Sequence, residues 1–138
     1  MGKVLVKATI QNLGDLYAAE RGNLKADRVR KLEIDKALVD TGATFLSLPK
    51  SNIKQLGLKK FRTRKARTAA GEVVTAIYQA LRLTIAGRDC TVDVAEVKGN
   101  TPLIGQIPLE ALDFVVDPVG RRLLGNPEHG GEHMIDMF

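Results

Sequence analysis

Asp40, Thr41, Gly42 and Ala43 are the residues of this chain whose types and order could do chemistry. A carboxylate stands at the end of the apolar triplet Ala37-Leu38-Val39, next to a hydroxyl and then a glycine. In a cleft, a carboxylate can take a proton from a bound water or, when protonated, give one to a reacting oxygen. Glycine lets the chain turn tightly and lets another backbone approach closely. Threonine can hydrogen-bond backbone groups locally or across an interface. The same residues also make an ordinary strand-to-turn junction, because Asp, Thr and Gly are all turn residues. Types and order alone leave both readings open.

Other candidate chemistry is weaker. His129-Gly130-Gly131-Glu132-His133 matches an H-x-x-E-H zinc pattern. That chemistry needs a helix placing both imidazoles on one face. Gly130-Gly131 after Pro127 is poor helix material, so a solvated tail is expected there. Neither a metal nor a cofactor is expected. Lys59, Lys60, Arg62, Arg64, Lys65 and Arg67 form a basic run, and Arg21, Lys25, Arg28, Arg30 and Lys31 add to it. The run reads as a solvated strand face. Its functional alternative is to steer acidic or nucleic-acid-bound substrates. Cys90 lies in an alternating stretch and reads as a small buried hydrophobe. Tyr78 and Phe45 read as core.

The elements that must position Asp40 have a dominant period of two. Val4, Val6, Ala8 and Ile10 alternate with Leu5, Lys7 and Thr9, as in a strand. Asn12 to Asp27 carries Gly14 and Gly22 and reads as a loop. Val29 to Val39 is a second strand, ending in a triplet apolar enough for burial on both faces. Pro49 opens a short helix through about Leu56, stopped by Gly57. Arg62 to Thr68 and Val73 to Ile85 are strands joined by a turn at Ala69-Ala70-Gly71-Glu72. Cys90 to Val97 and Leu103-Ile104 follow, then a helical turn at Pro108 to Leu112. Phe114-Val115-Val116 and Arg121 to Leu124 flank the hairpin turn Asp117-Pro118-Val119-Gly120. Many short strands with regular turns predict an all-β barrel or sandwich.

With 138 residues the chain is sized for one domain. It is 44% hydrophobic and 27% charged, which excludes a disordered polymer. No apolar run is long enough to span a membrane. The start, Met1-Gly2-Lys3-Val4-Leu5-Val6-Lys7, is broken by lysine too early for a signal peptide. The single cysteine rules out an intramolecular disulfide and suits a reducing compartment. A cytoplasmic location is therefore expected. The net charge of +5 raises nucleic acid as a partner. The six aromatic residues are scattered and there is no Trp, so base-stacking platforms are missing and nucleic acid is not expected.

The sequence resembles the retropepsin-like aspartic proteases, in particular their small single-domain prokaryotic members. The resemblance rests on Ala37-Leu38-Val39-Asp40-Thr41-Gly42-Ala43 with its apolar run ending at Leu48, and on the later Leu103-Ile104-Gly105 before a short helix. A glycine hairpin around Gly71 lies between them. Order and spacing agree from Val4 to Leu112. The tail segments Val116-Asp117-Pro118 and Gly125-Asn126-Pro127-Glu128-His129-Gly130 are similar too.

The resemblance implies an acid-protease barrel with one or two short helices, spanning residues 1–125, with 126–138 as a C-terminal tail. It implies an aspartic endopeptidase whose two catalytic carboxylates share a proton and hold a water. This chain has one Asp-Thr-Gly, so the pair must come from two copies of Asp40 in a twofold homodimer. Thr41 would tie the two floor loops together. Gly42, Ala43 and Thr44 would receive the substrate main chain as an added strand. Ala69, Ala70 and Gly71 would form a flap tip, and Ile104 would line a side-chain pocket. Thr44 and Gln106 stand where viral members carry an acid–arginine pair. Viral members build the dimer from both termini; here Phe114 to Leu124 is the alternative source of that sheet. The partner implied is a polypeptide. The alternative function is a catalytically silent dimer that binds a partner peptide in the same cleft.

Overall fold

A computed structural model describes residues 3–137 of the chain; Met1, Gly2 and Phe138 fall outside it. The first alternating stretch becomes strand β1, Leu5–Asn12. Ala8 and Ile10 are buried in the core, while Leu5 and Lys7 are exposed. That is the alternation a strand with one buried face demands.

Asn12 ends β1 and starts a helix, α1, Leu13–Glu20, where a loop was expected. Its Oδ1 accepts from the Asp15 amide at 2.9 Å, satisfying a helix-start N–H. Its Nδ2 donates to the Leu56 carbonyl at 2.7 Å. Asp15 in turn takes the Arg30 guanidinium at 2.8 Å. Among the described residues there are three short α-helices, where one or two were expected, and the architecture is all-β as expected.

Strand β2, Lys31–Val39, pairs antiparallel with β1. After the Asp40 loop comes β3, Leu46–Pro49, buried at every residue. Helix α2, Lys50–Leu56, stops at Gly57, whose φ of 65° gives the left-handed cap that the glycine predicts. Strands β4, Lys60–Thr68, and β5, Gly71–Ile85, form a long hairpin. The later part of β5 pairs with β6, Arg88–Val97, and with β1. The two-residue strand β7, Leu103–Ile104, inserts between β2 and β3, parallel to the first and antiparallel to the second. Helix α3, Gln106–Leu112, follows, then a separate hairpin of β8, Phe114–Asp117, and β9, Arg122–Gly125.

The sheet order is β1-β2-β7-β3-β6-β5-β4, and the extra β1–β5 pairing closes six of these strands into a ring. The core inside it includes Ile10, Leu46, Leu48, Leu56, Leu83 and Ile104. β4 stays outside the ring and is exposed along nearly its whole length. Among the described residues no helix is long and apolar enough to cross a membrane.

The segment after β9 is exposed at most of its residues, as a solvated tail would be, and it is nonetheless tied back to the domain by hydrogen bonds. Its anchor is Asp113, a buried carboxylate in the left-handed cap of α3 with φ of 59°. A buried carboxylate needs partners. It accepts from Asn126 Nδ2 at 3.1 Å, from the Met134 amide at 3.1 Å and from His129 Nδ1 at 2.6 Å. The Arg88 guanidinium donates to the carbonyls of Leu112, Asp113 and Gly131.

Candidate active site

Asp40 follows the last residue of β2. Its amide donates to the Ile104 carbonyl at 2.9 Å, as Leu38 does to Pro102 at 2.9 Å, so the parallel ladder runs on through Asp40. The chain then turns. The Ala43 amide bonds the Asp40 carbonyl at 3.1 Å, and the Gly42 amide donates to Asp40 Oδ1 at 3.0 Å. A Cβ on Gly42 would sit 3.2 Å from that oxygen, so the turn leaves a side chain little room.

The loop is fixed from behind by α3. Its first amides, which have no partner inside the helix, donate to the loop carbonyls: Gln106 to Ala43 at 2.8 Å and Ile107 to Thr44 at 2.9 Å. The Gly105 amide bonds Phe45 at 3.1 Å. A Cβ on Gly105 would lie 2.6 Å from the Ala43 oxygen, so only glycine lets β7 and the loop approach this closely. Gln106 is thus linked through main chain to Ala43, and Thr44 to Ile107, while the Gln106 side chain turns to Glu110 at 3.1 Å.

Register shows what shares a face with Asp40. Paired residues on neighbouring strands lie on the same face of a sheet, and residues two apart along a strand do as well. Asp40 therefore goes with Leu38. Leu38 pairs with Leu103, Leu103 with Ser47, Ser47 with Ala95, Ala95 with Ile77, and Ile77 with Arg62. One face runs unbroken from the aspartate to the β4–β5 hairpin. The other face carries Ile104, Leu46 and Val94, all buried.

Asp40 itself is half-buried, and Thr41 and Gly42 are exposed. A groove of about 450 Å³ opens beside them, between Lys3 and Val4 on one side and Val116 and Pro118 on the other.

The chain matches the sequence model of the aspartyl protease family over residues 28–125. It belongs to that family. No curated protein matches it. The match covers both halves of the site, the Asp40 loop and the Leu103-Ile104-Gly105 strand behind it.

In this member of the aspartyl protease family, Asp40, Thr41, Gly42, Ala43 and Thr44, which the retropepsin-like resemblance implies for the site, stand in one loop held by main-chain hydrogen bonds. Ala69 and Ala70 form the hairpin turn and Gly71 opens β5 with a φ of 113°. Thr68 Oγ1 holds the tip, donating to the Gly71 carbonyl at 2.9 Å and accepting from the Ala70 amide at 3.2 Å. Ile104 is the exception. It is wholly buried in the core on the far face and lines no open pocket. Its neighbour Leu103 is half-buried on the face of Asp40. The signal for this was parity: Leu103 and Leu38 are partners, and Leu38 is two residues from Asp40.

His129 and His133 are bound to different partners. His129 sits between Asp113 and Asp136, and His133 Nε2 donates to the Ala111 carbonyl at 3.0 Å. Burial, with the nearby Asp89 charge adding to it, pushes the Cys90 thiol up to about 11, which keeps it protonated and inert.

Proposed function

We propose that this aspartyl protease is an endopeptidase whose active site is assembled from two copies of the chain, each supplying Asp40. The observation that carries this is a lone Asp-Thr-Gly held rigidly at an open corner of the barrel. Its carboxylate is half-exposed and, among the described residues, is hydrogen-bonded within its own turn alone.

In the assembled site two carboxylates close together share one proton. The ionised one takes a proton from a water between them, and the protonated one polarises the peptide carbonyl. Water oxygen bonds to the carbonyl carbon and gives a tetrahedral diol. The carboxylates then return a proton to the amide nitrogen, the C–N bond breaks, and acid and amine leave. Gly42 to Thr44 offer main-chain groups to an extended substrate, which binds as an added strand. Ala69, Ala70 and Gly71 close over it and exclude water. Leu103, rather than Ile104, contributes to a side-chain pocket beside Asp40. The domain is assigned to residues 1–125, with 126–138 as an appended segment.

The test is Asp40→Asn, assayed on a peptide library with and without a pepstatin-type inhibitor. Cleavage should fall by about 10²-fold or more while the protein stays folded. Retained activity would remove the proposal. Peptide binding without cleavage by the natural sequence would instead identify a silent binder.

A further inference from the structure

The face that carries Asp40 ends in arginine. Ile77 pairs with Arg62, and two residues on Thr75 pairs with Arg64, so both arginines lie on the Asp40 face of the hairpin. Nearer the tip the same face carries Ala66 and Val73, which are small and apolar. Lys65 and Arg67 lie on the opposite face, with Val74 and Glu72 as their partners.

Two further observations separate this pair from an ordinary solvated strand. Lys60 pairs with Tyr78 and Arg62 with Ile77, so Phe61 is an extra residue, a bulge that re-aims the strand. The Arg62 guanidinium stacks 4.2 Å over the Phe61 ring and is held there. Arg64 has no ion pair among the described residues.

We propose that Arg64, supported by Arg62, forms a subsite on the underside of the hairpin for an acidic side chain of the bound polypeptide. It rests on the peptidase reading above and names the substrate class for that same site: chains with Asp or Glu a few residues from the cleaved bond. A guanidinium binds a carboxylate through two parallel hydrogen bonds, and a bound peptide beneath the hairpin would shield the pair from water.

The test has two arms. In the first, quenched peptides carrying one Glu, Gln or Lys, scanned along the positions flanking the cleaved bond, are cleaved by the natural protein, Arg64→Gln, Arg64→Glu and the double variant Lys65→Gln/Arg67→Gln. At one flanking position the natural protein should favour Glu over Gln by about tenfold, the scale of one charge-assisted hydrogen bond. Arg64→Gln should remove that ratio and Arg64→Glu should turn it toward Lys. The double variant on the opposite face should keep it. Equal cleavage of Glu and Gln peptides, or an equal loss in the double variant, would overturn the subsite. In the second arm, binding of the same Glu and Gln peptides is measured on Asp40→Asn protein by fluorescence anisotropy. If no peptide is cleaved, the peptidase reading fails, and this arm still decides the subsite: a Glu preference lost in Asp40→Asn/Arg64→Gln supports it, and no preference refutes it.

Discussion

The Ala43 carbonyl oxygen that a Cβ on Gly105 would meet at 2.6 Å is a main-chain atom, and so cannot swing away. Gly105→Ala should therefore push the Asp40 loop off α3. The expected cost is about 1–3 kcal/mol, the range for overpacking, read as a lower urea midpoint with unchanged slope. A variant as stable as the natural chain would show that the loop and β7 are looser than this. Asp113 and His129 make a different residue-scale argument, through pH. The His129 hydrogen bond, with the Met134 and Asn126 donors, holds the Asp113 carboxyl down to about 2 against the opposing effect of burial. The Asp113 hydrogen bond, with a lesser one to the exposed Asp136, raises His129 above its ordinary 6.5. Asp113 thus stabilises the fold above 3.8, and that stability is lost as pH falls through about 2. The His129 contribution is whole below 6.5 and is lost as pH rises through its raised value. The difference in urea midpoint between the natural chain and His129→Gln should be largest between these limits and shrink at alkaline pH. A pH-independent difference would mean the imidazole contributes shape and not charge.

Arg88 is where three elements meet. It starts β6, donates to the end of α3 at Leu112 and Asp113, reaches Gly131 of the returning segment, and packs 4.5 Å over the Phe114 ring of β8. Arg88→Ala leaves those carbonyls to find water and should destabilise by about 2–3 kcal/mol, the scale of charge-assisted hydrogen bonds, measured by urea unfolding. No change would show that the segment is held by Asp113 alone. Much of this scale is legible in the sequence, where period and punctuation act locally. Val4 to Ile10 alternates as a strand must, Pro49 and Gly57 bracket α2, and Gly71 marks the hairpin turn. The misses have long-range causes. Helix α1 has no buried residue to announce it and is fixed by an Asn12 cap whose other hydrogen bond reaches Leu56. The returning tail depends on Asp113 and Arg88, which are distant in sequence from the residues they hold. At the site, Asp40-Thr41-Gly42 is visible as a motif. The choice between Leu103 and Ile104 is not, because it turns on a register between strands more than 60 residues apart (103 − 38 = 65).

The whole chain holds one Asp-Thr-Gly, and the proposed reaction needs two. Its barrel closes on itself through the β1–β5 pairing, so every strand of the ring finds its neighbours within one chain. The proposed chemistry does, and stoichiometry separates the two cases. Natural and Asp40→Asn chains can be mixed in equal amounts, exchanged through dilution or mild denaturant, and assayed at fixed total concentration. If each active unit needs Asp40 from both members of a twofold pair, only natural–natural pairs cleave. Random pairing makes these about one quarter of all pairs, so activity should fall to about one quarter of that of the natural protein. A site complete within one chain would retain about one half instead. The same logic predicts that specific activity rises with protein concentration until pairing saturates. Activity per chain that stayed constant on dilution, together with one-half activity in the mixture, would assign the chemistry to the single chain and leave Asp40 without its partner.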